Sequence, residues 1–137
     1  MKATLKPGAT HTNKITIDKD RTISFMGDEL RVYGTPFMVR DMEATCRDLL
    51  LQHHDAGEDS VGARIEVDHV APTLIGQWVE ITATVVEVEG QRVKFDLEAR
   101  DALDAIGRGK HIRFTVDKSK QGERLHKKAA RVKAAGG

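Results

Sequence analysis

Apolar residues recur every three to four positions between Tyr33 and Leu51, and every second position over much of the chain from Ser60 to Val116. In the first stretch, YGTPFMVRDMEATCRDLLL, Met38, Val39, Met42, Cys46, Leu49 and Leu50 gather on one side of a 3.6-residue period. Arg40, Asp41, Arg47 and Asp48 point away, and Glu43 falls at the edge of the apolar stripe. Thr35 is a good N-cap, and Pro36 suits the first helical position, where its missing N–H costs nothing. The spacing predicts a helix from about Pro36 to His54, stopped by the polar run Asp55–Asp59.

Beyond that break the period is two. Val61, Ala63, Ile65 and Val67 alternate onto one face of a strand at Ser60–Ala71, and His69 comes next on the same face. A strand at Trp78–Glu89 follows, with Val79, Ile81, Ala83 and Val85 inward, then a hairpin turn at Glu89-Gly90-Gln91. Val93, Phe95, Leu97 and Ala99 line the inner face of the next strand. A turn at Ala102–Ala105 leads to a last strand with Ile112, Phe114 and Val116 inward. Gly107-Arg108-Gly109 at its start permits a bulge or the close approach of another backbone or a ligand. Upstream, His11–Asp18 reads as a strand and residues 1–10 as a loose lead-in. Asp20–Leu30, which contains Met26-Gly27-Asp28, reads as a loop or flap.

Short turns require antiparallel neighbours, and the apolar sheet face needs a cover that only the helix at 36–54 is long enough to give. The expected class is α+β: a curved antiparallel sheet of five to six strands wrapped around one long central helix. It occupies residues 1–117, and a basic tail, 118–137, partly helical or disordered, follows. Trp78, Val86, Val88 and Ile106 fall on outward positions and predict a further buried surface such as a dimer contact.

Composition narrows the function classes. A chain of 137 residues can bury a core without disulfides or metal. With 22 basic and 21 acidic residues it has no global field to draw in nucleic acid or a membrane. The single cysteine, Cys46, excludes an internal disulfide, fits a reducing compartment and reads as a small core residue. There is no signal-peptide pattern and no membrane-spanning run, so a cytoplasmic location is expected. The six histidines lack metal-ligand spacing, and His53-His54 suits a helix C-terminus. Seven cations crowd the tail without aromatic neighbours, a solvated tail or an anion-binding arm rather than a nucleic-acid site.

No self-standing catalytic motif appears. What remains is a constellation: a hydroxyl at a helix start (Thr35), a half-buried carboxylate (Glu43) and an inward imidazole (His69). These are the groups of an acid/base site, and equally of three satisfied polar side chains. A resemblance decides between the two. Thr35-Pro36-Phe37-Met38-Val39, Glu43, His69 and the run from Asp104 through Arg113 resemble the hotdog-fold thioesterases, most closely the fluoroacetyl-CoA thioesterase group. The likeness covers about Leu30 to Val116. It implies a homodimer, with dimers free to pair further, that hydrolyses acyl-CoA thioesters with Thr35, Glu43 and His69 as its catalytic groups. The α-helix start at Pro36–Met38 would then offer free N–H groups and part of a positive charge to a thioester oxygen. Gly62 would lie beside the acyl carbonyl, Phe37 beside the substrate, and Arg113, Arg108 or the basic tail near the coenzyme A phosphates. Glu43 would act as base or nucleophile, and Thr35 would orient a partner or attack. Coenzyme A would be part of the substrate, with no separate cofactor, metal, nucleic acid or membrane partner. The segment Met26–Val32 lacks the phenylalanines of the fluoroacetyl-specific lid, which points to another short or small polar acyl group. The alternative is a non-catalytic acyl-CoA or small-acid binding module on the same fold.

Overall fold

The first long helix, α1, runs from Thr35 to Leu51. Its N-cap is Gly34 rather than Thr35, and no side chain caps it, because the Thr35 hydroxyl is engaged elsewhere. The apolar stripe behaves as its period predicts, with Met38, Met42, Cys46, Leu49 and Leu50 all buried. Each large side chain so removed from water contributes about 1.5–3 kcal/mol. Burial also pushes the Cys46 thiol well above its ordinary pKa, which fits a core residue. Asp41 departs from expectation. Predicted to face solvent, it is buried, because the chain before the helix folds back and supplies it with two donors.

The computed structural model describes residues 1–137. Five strands, β1 (Thr10–Thr16), β2 (Glu58–His69), β3 (Trp78–Glu89), β4 (Arg92–Arg100) and β5 (Ala105–Asp117), form one antiparallel sheet in the order β1-β3-β4-β5-β2. α1 packs against β1, β2 and β3, giving the hotdog arrangement of a sheet wrapped around one helix. β2 leaves α1 and takes the far edge, where β5 is its only partner. The predicted lead-in is not loose. Leu5 enters the core, and Lys2 and Gly8 donate backbone hydrogen bonds to His53 and Val85. The stretch read as a loop or flap, Asp20–Leu30, begins within one 3₁₀ turn, Lys19–Arg21, and ends on another, Asp28–Leu30. No helix is long and apolar enough to cross a membrane.

Two strands depart from the facing their alternation predicts, β2 only before its bulge and β5 throughout. In β2 the pairing shifts between Gly62 and Arg64, so Ala63 is an inserted residue. A one-residue insertion reverses the parity of everything on one side of it. Ile65, Val67 and His69 therefore face α1, but so do Ser60 and Gly62, while Val61 turns outward opposite Phe114. In β5 the inward residues are His111, Arg113 and Thr115, all buried, and Phe114 is exposed. Ile112 and Val116 sit on the outer side with it. Polar residues face inward here because each has a buried partner, as described below. Gly107 also faces α1. A Cβ there would come within 2.9 Å of the Met38 terminal methyl and sulfur, so its absence sets how closely the helix approaches.

The outward apolar positions resolve differently from one another. Ile106 is fully buried in the core, and Val88 packs against it. Trp78 is covered on the outer face by Lys14 and Arg100, whose cations lie 4.6 and 5.3 Å from the ring. Val86 alone of the four is exposed. Residues Lys118–Ala134 form a second helix, α2, capped by Asp117, which accepts from the Ser119 and Lys120 N–H groups. None of its residues is buried.

Candidate active site

At the N-terminal end of α1, Thr35 Oγ1 and His69 Nδ1 lie 2.8 Å apart. Pro36 has no N–H, and the Phe37 and Met38 N–H groups both donate to the Gly34 carbonyl. The free donor at this helix start is thus the Thr35 N–H, not the three that follow it. His69 Nε2 is buried without a hydrogen-bond partner. Burial lowers the His69 pKa, opposed by the Ala71 backbone, so the imidazole is neutral near pH 7. A neutral ring bonded to a hydroxyl can pass a proton in either direction. An open cleft of about 520 Å³ lies over the pair, walled by Ile23, Phe25, Pro36, Val70 and Pro72. Phe25 is 81% exposed at its rim. The segment 26–32 has no phenylalanine, yet one stands immediately before it.

Behind this pair is a network that periodicity does not reveal. The Tyr33 hydroxyl donates to Asp41 Oδ2 at 2.6 Å, and Arg21 Nε donates to the same oxygen at 3.0 Å. Burial, then the bond to Asp41, pushes the Tyr33 phenol far above its ordinary range. The Tyr33 ring meets His69 edge-on, with centroids 6.1 Å apart. The Arg21 carbonyl also accepts the Gly34 N–H. Arg21, Tyr33 and Asp41 together fix the chain entering α1 and one side of the imidazole. The sequence signal was a tyrosine, the chain's only one, two residues before Thr35.

The other half of the constellation lies elsewhere. Glu43 comes eight residues after Thr35, a rise of about 12 Å along a helix. It is half-buried and bonds to neither Thr35 nor His69. Its charge instead acts on Arg113, His111 and Cys46. Arg113 is buried. It donates through Nε to Ser60 Oγ at 2.8 Å, through Nη2 to the Ser60 carbonyl at 2.9 Å, and through Nη1 to His111 Nε2 at 3.2 Å. That last bond fixes the His111 tautomer, so Nδ1 donates to the Arg64 carbonyl at 2.7 Å. Burial lowers both pKa values; Glu43 opposes the fall on Arg113, and the Arg64 carbonyl and Glu43 oppose it on His111. Gly62 completes the group, since a Cβ there would stand 3.2 Å from His111 and 3.5 Å from Arg113.

Phe37 packs beside the helix start, partly buried, with Arg40 5.5 Å from its ring centroid. Arg108 is on the outer sheet face, paired with Asp68 at 3.3 Å. One chain therefore holds the predicted residues in two separate groups: Thr35 with His69 at the start of α1, and Glu43 near His111, Arg113 and Gly62 two turns further on.

In sequence and fold the chain is similar to known thioesterases. The family model described as fluoroacetyl-CoA-specific thioesterase matches residues 17–119. A curated fluoroacetyl-CoA thioesterase of Streptantibioticus cattleyicolor is 30% identical over 135 residues, 93% of this chain and 97% of its own. A thioesterase superfamily member from Thermus thermophilus superposes with a TM-score of 0.86 at 28% identity, covering 94% of this chain and 96% of its own. A mutant fluoroacetyl-CoA-specific thioesterase in complex with fluoroacetate and CoA superposes with a TM-score of 0.78 at 31% identity, covering 85% and 98%. With the family model spanning most of the folded chain, this protein belongs to the fluoroacetyl-CoA-specific thioesterase family.

Proposed function

We propose that the protein hydrolyses a short acyl-CoA thioester as a homodimer whose active sites are each assembled from two subunits. The observation that carries this reading is the division just described. A chain with Thr35 and Glu43 about 12 Å apart along one helix cannot close both around one carbonyl carbon. β2 supplies the means to join the halves. It is an edge strand of 12 residues with one side unpaired and Val61 43% exposed. Antiparallel pairing of two β2 strands about a two-fold axis between Ile65 and Glu66 sets Gly62 opposite the partner's His69. Glu43 and Arg113 then approach the partner's Thr35.

In that composite site the thioester oxygen takes the Thr35 N–H at the positive end of α1. In the general-base form Glu43 accepts a proton from water as the water oxygen attacks the carbonyl carbon. The C–S bond breaks, and the proton reaches the departing thiolate through His69, with Thr35 holding the ring. In the nucleophilic form the Glu43 carboxylate attacks first, coenzyme A leaves as thiolate, and water resolves the resulting anhydride at the Glu43 carbonyl, its proton passing to the thiolate through His69. Single turnover in ¹⁸O-water separates the two, because the general-base route places the label in the released acid, whereas the nucleophilic route places it in Glu43 and releases an unlabelled acid. The cleft beside Phe25 suits a small acyl group, as does the relatives' fluoroacetyl substrate.

The test mixes two inactive variants. Glu43→Gln and His69→Ala homodimers each lack one group at both sites. In a random mixture about half the dimers are mixed, and each contains one site with both native groups, so about a quarter of the sites recover. Thiol release from a panel of short acyl-CoAs reads the recovery. No recovery, with subunit exchange demonstrated, rejects the shared site. No thiol release by the wild type on any acyl-CoA favours a binding module instead.

A further inference from the structure

The charges of this molecule are segregated. Residues 1–117 hold 15 basic and 20 acidic side chains, net −5, whereas residues 118–137 hold 7 and 1, net +6. The pairing is segregated too. Every arginine before residue 118 except Arg113 lies within 4.0 Å of a carboxylate. None of the cations of α2 does. On the helical period Lys120, Arg124, Lys127, Lys128 and Arg131 share one stripe, over a rise of about 16 Å. The family match ends at residue 119, just inside this helix.

We propose that the basic stripe of α2 binds the phosphates of the substrate's nucleotide, the 3′-phosphate and diphosphate of coenzyme A, at the mouth of the composite site. The inference rests on the thioesterase reading above and deepens it. Its geometric basis is where α2 is rooted. The Lys118 N–H donates to the Gly57 carbonyl at 2.9 Å, beside the start of β2 and five residues beyond Arg113. In the two-fold arrangement the start of β2 lies opposite the chain just past the partner's His69, so each α2 leaves the body beside a composite cleft. The groups within the sheet do not offer a phosphate site: Arg113 is turned inward onto Ser60 and His111, and Arg108 is paired on the outer face. A flexible pantetheine arm carries the acyl group inward and leaves the nucleotide outside, where only α2 presents unpaired cations one helical turn apart. Ion pairs of that kind are salt-sensitive and raise capture rates.

The experiment uses the full-length protein and the variant Lys120→Gln/Arg124→Gln/Lys127→Gln/Arg131→Gln, all exposed positions, with folding checked by thermal melting. For the acyl-CoA turned over best, KM is expected to rise about tenfold at low salt with kcat unchanged. KM for the same acyl group on pantetheine, which lacks the phosphates, stays constant. Calorimetric titration with adenosine 3′,5′-bisphosphate reads the same site without chemistry. The wild type binds it and the variant does not. If the wild type fails to hydrolyse acyl-CoAs yet binds the bisphosphate, the thioesterase reading falls and the phosphate site stands. Equal KM values for wild type and variant on acyl-CoA overturn the inference. So does tight binding of an RNA oligonucleotide that the bisphosphate cannot displace, which would assign the stripe to nucleic acid.

Discussion

The start and the middle of α1 are built on different terms. At its start, Thr35 and His69 are already bonded, and a buried carboxylate, a phenol and an arginine hold the surrounding chain. Two turns further along, Arg113, His111 and Ser60 are bonded to one another, but Glu43, whose charge acts on Arg113 and His111, has no hydrogen-bond partner in its own chain. The start is complete as it stands, and the middle holds a carboxylate placed by its neighbours' charges rather than by a bond. In the proposed shared site that arrangement lets Glu43 meet its target without first breaking a bond.

The sharpest way to break this contrast is to remove the chemistry at each place. His69→Ala and Glu43→Gln are each expected to lower kcat about 10²- to 10⁴-fold. Glu43→Gln is also expected to lower thermal stability, because the buried Arg113 loses the charge that favours its cationic form. A smaller activity loss for Glu43→Gln than for His69→Ala by more than an order of magnitude would demote the second group. Next comes Arg113→Met, which strands Ser60 and His111. Buried polar groups without partners cost about 1–3 kcal/mol each, so a marked drop in denaturation midpoint is expected together with a raised KM. Asp41→Asn tests the start of α1 through its support. It is expected to cost about 1–3 kcal/mol by chemical denaturation, with Tyr33→Phe at the low end of that range and Tyr33→Phe/Asp41→Asn less than additive.

Acidification produces a smaller and shared effect. Burial lowers the pKa of His54, His69 and His111. Below the ordinary imidazole value of about 6.5 the unfolded chain binds protons that the folded chain refuses, so stability falls as pH falls through that value and is fully present above it. The acid limb of kcat/KM is expected below about pH 6.5, the signature of a neutral His69. Activity that instead falls as pH rises through that value would mean that His69 works as a cation. Gly107→Ala is expected to act on stability rather than on chemistry. The new methyl meets the end of the buried Met38 at 2.9 Å and the Asp68 carbonyl at 3.1 Å, so a loss of about 1–3 kcal/mol is expected from a thermal melt.

Much of this was legible in the chain. α1 and the β3–β4 hairpin follow from their periods because their buried residues are apolar and their partners adjacent. Thr35, Glu43 and His69 were legible as residues, but not as two separate groups; that division needs only the helical rise, applied to positions eight apart. Two of the inferences that failed share one reason, a partner distant in sequence. Period-two reading takes the apolar side of a strand as the inside, and β5 puts His111, Arg113 and Thr115 there because Ser60, Arg64 and His54 satisfy them. Asp41 was assigned to solvent because its donor Arg21 lies twenty residues upstream, beyond the reach of any local pattern.

The bulge at Ala63 works as slack in β2. Gly62 stands opposite Arg113 and Arg64 opposite Ile112, so the residue between them is absorbed without disturbing the pairing on either side. Deleting Ala63 would straighten the ladder and still leave Ser60, Gly62, Ile65, Val67 and His69 on the side of α1. The strand can therefore lose one residue at this point and keep its chemistry facing inward, giving up only the extra local twist that a bulge adds. A deletion anywhere else in β2 has no such slack and would slide side chains from one face to the other.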